Sequence, residues 1–367
     1  MKVLHVTPAY FPVIGGIETL VRDLVLQLRC NGIIADVLHI SPANKKRSQE
    51  HLDESTVWRV PLFPNRLIGV APGIRPILSS YDVIHVHDPH AMALSVNVIA
   101  QGKDKKKVLS THGGYFHTHN FSLMKKIHWG LLAGPILKHY DDVLASSVGD
   151  RDTFKAKVPN VKLVQNGVNV SKFASVANRV AVPATRWIYW GRISQNKRID
   201  LLVDTVKRMR DAGLDVRLTV AGQDFDGLLP SLRDKVSGYG LNEYIRILGK
   251  SPSDADLLKE IAAHSVFITA SEHEGFGISI IEAMAAGLVV ICRNMSPINT
   301  FVTDRENGRL IDFSGSATEL ASLKSLCSVS PDELSNMSER SRRAAVPYSW
   351  ESAIKPFIQV YEDVLRG

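Results

Sequence analysis

The chain of 367 residues is 45% hydrophobic and 22% charged, an ordinary globular composition whose length fits two domains of roughly 150–200 residues, each with its own core. Cys30, Cys292 and Cys327 are scattered with no paired spacing, which argues against a disulfide framework or a cysteine zinc site and for a reducing cytosol. The opening MKVLHVTPAYFPVIGG is broken by His5, Pro8 and Pro12 and does not read as a signal peptide; no run of about 18 apolar residues predicts a membrane span.

The net charge of +7 is unevenly spread. Residues 1–165 hold 20 Lys/Arg against 13 Asp/Glu, whereas residues 166–367 hold 24 of each. Two readings stand: drift within a solvated surface, or a basic half that meets an anionic partner such as a membrane surface, a phosphorylated lipid or nucleic acid.

In chain order, β-branched runs alternate with helical patterns. VLHV (3–6), DVLHI (36–40), VIHVH (83–87), VLSTH (108–112) and DVLAS (142–146) read as strands. After the first, Gly15-Gly16 opens a helix with Ile17, Leu20, Val21, Leu24, Val25 and Leu28 on one face, ending near Asn31-Gly32. The segment 170–183 is polar and without helical or strand periodicity, so the linker is placed there. Beyond it come strands at 187–191, 216–222, 244–249, 266–271, 288–292 and 309–313, with helices at 199–209, 254–263 and from about 278. Strands apolar throughout belong in parallel sheets covered on both faces. The prediction is an α/β chain of two doubly wound, Rossmann-like halves, residues 1–169 and 170–348, followed by an amphipathic helix over 349–367.

Ligands of open α/β sheets collect beyond the carboxyl ends of the strands, and three segments qualify. Besides Gly15-Gly16, they are GRISQNKR (191–198) and EHEGFGISIIEAMAAG (272–287). In the latter, Gly275 and Gly277 permit a tight turn before a helix starting near Ile278. Glu274 precedes that helix, and Glu282 leans back towards its mouth. Two acceptors beside a helix N-terminus suit the hydroxyls of a sugar and a ribose with a phosphate between them. Alternatively, the acids merely complement the helix dipole, although Glu282 among Ile280, Ile281 and Met284 then needs a hydrogen-bonding partner. Arg192 and Lys197, converging from one loop, form a sensible diphosphate clamp, though strand–helix junctions also carry ordinary surface cations.

These residues are similar to a known family. EGFGISIIEAMAAG, with GRISQNKR and QNGVN (165–169) upstream and VIGGIE near the N-terminus, resembles the retaining nucleotide-sugar glycosyltransferases of family 4, across nearly the whole chain. The resemblance implies a GT-B fold: an acceptor-binding N-terminal domain and a nucleotide-sugar-binding C-terminal domain facing across a cleft, with the last helix crossing back to the first domain. By position it implies that Glu274 contacts donor-sugar hydroxyls and Glu282 the ribose. It places Arg192 and Lys197 on the diphosphate, Gly15 and Gly16 near the phosphates, and His112 of the S/T-H-G loop facing the sugar. Gly275, Phe276, Gly277 and Ile278 complete the donor-binding loop. The family works without a metal or other cofactor, and is described as reacting by front-face substitution. Two departures are visible: Asn169 where aspartate is common, and Arg198 where glycine is frequent.

HGGYFHT, SEHEGFGISIIEAMAAG and the basic first half look most like mannosyltransferases of bacterial exopolysaccharide assembly. That resemblance implies GDP-mannose as donor, a polyprenyl-diphosphate-linked oligosaccharide as acceptor, no nucleic-acid partner, and a cytoplasmic protein peripheral on the inner face of the cell membrane. A UDP-sugar donor and a GT-B-like epimerase or hydrolase remain alternatives, as does a non-enzymatic binder of nucleic acid or anionic lipid, which the acid pair disfavours. A nicotinamide enzyme is disfavoured because no G-x-G-x-x-G follows the first strand.

HVHDPH (85–90) and THGGYFHTH (111–119) offer metal-like spacings, but no further glutamate completes a ligand set within either segment, so structural or acceptor-contacting roles are preferred. The basic, aromatic-bearing stretch 116–140, preceded by GKDKKK (102–107), reads either as a membrane-interface segment or as a helix packed on the sheet. Alanine at Arg192 or Glu274 is expected to cost activity and, if both face solvent, little stability.

Overall fold

Strand β1 (Lys2–Thr7) is buried along all but its first residue, because it is flanked by parallel neighbours and covered on both faces. The computed structural model describes residues 1–12, 15–65, 69–88, 92–112, 129–176 and 182–367. It divides into two units, Met1–Gly167 with Trp350–Gly367, and Val168–Ser349.

In the first unit, the described strands are β1, β2 (Ile34–Ser41), β3 (Ser48–Leu52), β4 (Ser55–Pro61), β5 (Val83–His87), β6 (Lys106–Ser110), β7 (Asp142–Ala145) and β8 (Val161–Leu163). They lie in the order β3-β4-β2-β1-β5-β6-β7-β8, parallel except for the β3–β4 hairpin. The order reverses between β1 and β5, the topological switch of a doubly wound sheet. The β3–β4 hairpin escaped the sequence reading because its edge strand, SQEHL, is polar and almost wholly exposed. Its turn is set by Asp53 and Glu54 at φ of 50° and 63°, the backbone of a tight two-residue loop.

The helix Gly16–Cys30 buries Leu20, Val21, Leu24, Val25 and Leu28, and Ile17 packs at the margin. Against it lies the last helix, Trp350–Arg366, with Trp350, Ile354, Phe357 and Tyr361 buried and Ile358 half-buried. Its apolar stripe was legible in sequence, but that it rejoins the first unit is decided by this packing. Gly167 makes room for it: a Cβ there would sit 2.2 Å from the Trp350 ring.

The second unit is a parallel sheet of β9 (Arg186–Trp190), β10 (Arg217–Ala221), β11 (Ile245–Ile247), β12 (Val266–Ile268), β13 (Val289–Cys292) and β14 (Gly308–Leu310), in the order β11-β10-β9-β12-β13-β14. Its switch lies between β9 and β12. The stretch expected to be the start of the linker is instead ordered: Val170–Val176 is a 3-10 helix, with Phe173 fully buried in the second core. Val170, Phe173 and Val176 recur every third residue, the 3-10 period, which a search at 3.6 passes over. The division between units therefore falls at 167/168, two residues before the expected boundary.

Of the basic stretch 116–140, residues 116–128 lie outside the described part. In the remainder, Ala133, Leu137 and Tyr140 are buried, while Leu131 and Leu132 are exposed. No helix among the described residues is long and apolar enough to cross a membrane.

Candidate active site

Because β9 and β12 flank the switch of the second sheet, the loops that leave their carboxyl ends are neighbours. The first loop carries Arg192 and Lys197, the second Glu274. Lys197 Nζ and Glu274 Oε1 meet at 2.6 Å, with side chains only 15% and 10% exposed. Asn196 stitches the two loops: its amide Nδ2 donates to the His273 carbonyl at 2.9 Å, and its own carbonyl accepts from the Glu272 amide at 3.0 Å. Arg192 is exposed, its guanidinium 5.0 Å from the centre of the Phe225 ring, and it has no carboxylate in ion-pair range among the described residues. Its backbone carbonyl accepts from the Tyr189 hydroxyl at 2.8 Å. Burial first, and the Glu274 charge second, raise that phenol well above its usual range and keep it a donor.

The helix Ile278–Ala285 begins at Gly277, whose φ of 90° is left-handed and whose added Cβ would press within 3.3 Å of the Phe301 ring. Ile280 and Ile281 both donate to the Gly277 carbonyl, so the amides of Ile278 and Ser279 are left at the helix mouth without an intrahelical acceptor. Such amides, with the dipole behind them, are a seat for an anion. The partner that a partly buried Glu282 requires is Trp190, whose Nε1–H donates to Glu282 Oε2 at 3.0 Å. Phe276 turns its ring into the core, edge-on to Tyr348 at 5.7 Å, so only its backbone remains for a ligand.

Both departures from the family pattern have local explanations. Asn169 accepts from the Lys172 amide and the Ser171 hydroxyl, capping the 3-10 helix as an aspartate would. Arg198 sits at φ 47°, ψ 50°, where glycine is at ease, and is held there by Glu272 at 2.6 Å and Asp200 at 2.9 Å. Trp190, Asn196 and Glu272 were missed by sequence reasoning. For Trp190 a signal existed, an indole at the carboxyl end of a switch-point strand; the other two reveal themselves only when the loops meet.

Gly15, Gly16 and His112 belong to the first unit. Gly15 is extended, and a Cβ at Gly16 would meet nothing within 4 Å. The described fold thus makes no steric demand for glycine at 16. His112 follows β6 with a left-handed φ of 54°. Its Nε2 shares a 2.8 Å hydrogen bond with His87 Nδ1, and His87 Nε2 shares one of 2.9 Å with His5 Nδ1. His85 is held by the Tyr361 hydroxyl at 2.7 Å and the Ser110 hydroxyl at 2.8 Å. Burial drops His5 to about 3 and His112 to about 4, and puts His85 and His87 well below the usual imidazole value, with neighbouring imidazoles adding to it. His5, His85 and His87 offer nitrogens within 4.8 Å of one another, but those of His85 and His87 and the Nδ1 of His5 are already engaged in these hydrogen bonds.

Two Rossmann-like halves and a last helix that returns to the first are the build of a GT-B glycosyltransferase. Known proteins agree: residues 14–172 match a profile described as Glycosyltransferase Family 4, and residues 178–344 one described as Glycosyl transferases group 1. The chain belongs to family 4 of the glycosyltransferases. It is 28% identical to a GDP-mannose:cellobiosyl-diphosphopolyprenol alpha-mannosyltransferase of Komagataeibacter xylinus, over all of this chain and 94% of that one. A protein of the same name from Xanthomonas campestris is 27% identical over all of this chain and 97% of its own. Among solved structures, the sucrose-phosphate synthase of Thermosynechococcus elongatus shares the fold with a TM-score of 0.78, at 20% identity over 100% of this chain and 99% of that one.

Proposed function

We propose that this glycosyltransferase moves mannose from GDP-mannose, with retained configuration, onto a hydroxyl of a polyprenyl-diphosphate-linked oligosaccharide in bacterial surface-polysaccharide assembly. The observation that carries the reading is the Lys197–Glu274 ion pair between the two loops of one switch point, the second of which leads into the helix with the Ile278 and Ser279 amides at its mouth, with Arg192 on the same loop as Lys197. The choice of mannose and of a lipid-linked acceptor is supported by the names of the two full-length relatives.

In this reading the bond from the anomeric carbon to the diphosphate breaks while the acceptor oxygen bonds to that carbon on the same face. The acceptor proton passes to a donor phosphate oxygen. Arg192, Lys197 and the helix mouth stabilise the charge that develops on the departing diphosphate, a fixed field of the kind worth about 3–4 kcal/mol per contact. Glu274 holds sugar hydroxyls, Glu282 the ribose, and the Gly15–Gly16 turn lies near the phosphates. His112 meets the sugar. These positive groups do the work that a metal does in other transferases, so activity is assigned to the chain without a resident cation. The basic first half, with Leu131 and Leu132 exposed, supports a peripheral place on the cytoplasmic face of a membrane.

The test is a turnover and thermal-shift screen with GDP- and UDP-sugars, with and without a polyprenyl-diphosphate oligosaccharide and with chelator in parallel. Stabilisation by GDP alone and acceptor-dependent mannose transfer are expected. Epimer or free sugar from donor alone would favour the epimerase or hydrolase reading. Liposomes of anionic lipid should retain the protein in sedimentation, and loss of binding only in high salt is the expected signature.

A further inference from the structure

Four imidazoles and a serine share one face of the first sheet. His5 of β1 is in register with His85 of β5, His87 stands two residues further along the same face, and Ser110 and His112 continue the row from β6. Three of these rings lie in single file: His112 Nε2 to His87 Nδ1 at 2.8 Å, and His87 Nε2 to His5 Nδ1 at 2.9 Å. The last atom of the file, His5 Nε2, is buried and has no hydrogen-bond partner among the described residues.

A neutral imidazole carries one proton and donates at one nitrogen only, so the file must run in one direction. If it ran from His112 inward, the far end would be a buried N–H with no acceptor. If it runs outward from His5, the orphan is a bare ring nitrogen, and the proton is left on the outer nitrogen of His112. Unmatched buried N–H groups are the rarer and more costly kind, so the outward direction is preferred.

We propose that His5 and His87 are positioning residues which fix His112 as the Nδ1–H tautomer, so that it meets the donor sugar as a neutral hydrogen-bond donor rather than as a base. The role assigned to the sugar contact rests on the function proposed above; the tautomer does not. His85 anchors the file from the side, its ring centre 4.2 Å from that of His87 and its nitrogens tied to Tyr361 and Ser110. Burial, which lowers all four imidazoles, keeps the file neutral near pH 7.

The experiment is nitrogen-15 NMR of the full chain labelled at histidine, which reads ring tautomers and couplings across N–H···N bonds. The expected result is Nδ1–H at His112, with couplings from His112 to His87 and from His87 to His5. His87→Asn places an amide N–H near the position of the ring Nδ1, whereas His87→Leu has no donor. With a mannose donor, His87→Leu should lower kcat by about 30-fold while His87→Asn stays within about threefold, the donor KM moving little in either, as for loss of a hydrogen bond made mainly in the transition state. An Nε2–H tautomer at His112 in the unaltered protein overturns the proposal, as does equal impairment of the two variants. Absence of transfer with every nucleotide sugar would remove the functional reading, and the spectrum would still decide the tautomer. Should His87→Leu fail to fold, the spectrum of the unaltered protein remains decisive.

Discussion

Lys197 and Glu274 stand 77 positions apart in the chain and meet at 2.6 Å, each the other's counter-ion in a largely covered pocket of loop. The two groups assigned to opposite ends of the donor, cation to phosphate and acid to sugar, are thus one unit before any donor arrives. Removing either leaves an uncompensated charge with little solvent around it, so Glu274→Ala and Lys197→Ala should each cost about 1–3 kcal/mol of stability. This revises the expectation of a small cost at Glu274, which assumed a solvent-filled setting. Activity should fall about 100-fold or more in each. In urea unfolding, the double variant should lose clearly less than the sum of the two; strict additivity would mean the pair contributes nothing as a pair.

Arg192 presents the contrasting case. It is exposed and, among the described residues, leans on the Phe225 ring alone, so Arg192→Ala should leave the melting temperature within about 1 °C. Turnover should nevertheless drop by about 100-fold, since the guanidinium is assigned to charge that grows on the leaving group. Arg192→Lys should restore little of it, because an ammonium lacks the planar fork. Near-normal turnover in Arg192→Ala would remove this residue from the chemistry.

At Glu282 the partner is an indole N–H at 3.0 Å, which orients the carboxylate for a ribose. Trp190→Phe keeps an aromatic ring, smaller by the indole's second ring, and deletes that donor. The donor KM should rise by about 5–10-fold with a smaller change in kcat, as for loss of binding shared by ground and transition states. A fall in kcat at constant KM would place Glu282 in the reaction itself.

The buried imidazoles set a pH limit on the fold. His5 and His112 titrate at about 3 and about 4 in the folded chain, against 6.5 when exposed, so below pH 6.5 the unfolded chain takes up protons that the folded one refuses. Stability is therefore fully present above pH 6.5 and falls as pH drops towards 3–4, by on the order of 1 kcal/mol for each such imidazole between pH 6.5 and 5.5. His85 and His87 act in the same sense. Urea midpoints between pH 7.5 and 5 should show this slope (roughly, from the linkage relation), and His5→Leu should flatten it. A midpoint independent of pH across that window would contradict the buried neutral file.

Much of the architecture could be read in the letters, because parallel strands covered on both faces leave long apolar runs and amphipathic helices repeat on a fixed period. β1, β5 and β9 fall at or within a residue of their expected places for that reason. Among the elements that escaped are the polar, exposed edge strand β3 and Val170–Val176, whose period is three. The carboxylate at 274 and the cation at 197 were each legible as chemistry from spacing and glycine context. Their pairing was not, nor were the indole behind Glu282, the amide of Asn196 or the direction of the imidazole file.

The sequence by itself determined the class: two α/β halves, the glycine-bounded acid pair, the basic loop and the family they resemble, all properties of residues near one another in the chain. Only the tertiary structure decided which charges neutralise one another, which residues pack the last helix onto the first unit, where the resemblance had placed it, and how the histidines of β1 and β5 line up with the one that follows β6. The reason is physical. Periodicity and turn chemistry act over a few residues, whereas ion pairs and shared protons depend on separations of about 3 Å between groups that sheet order alone brings together.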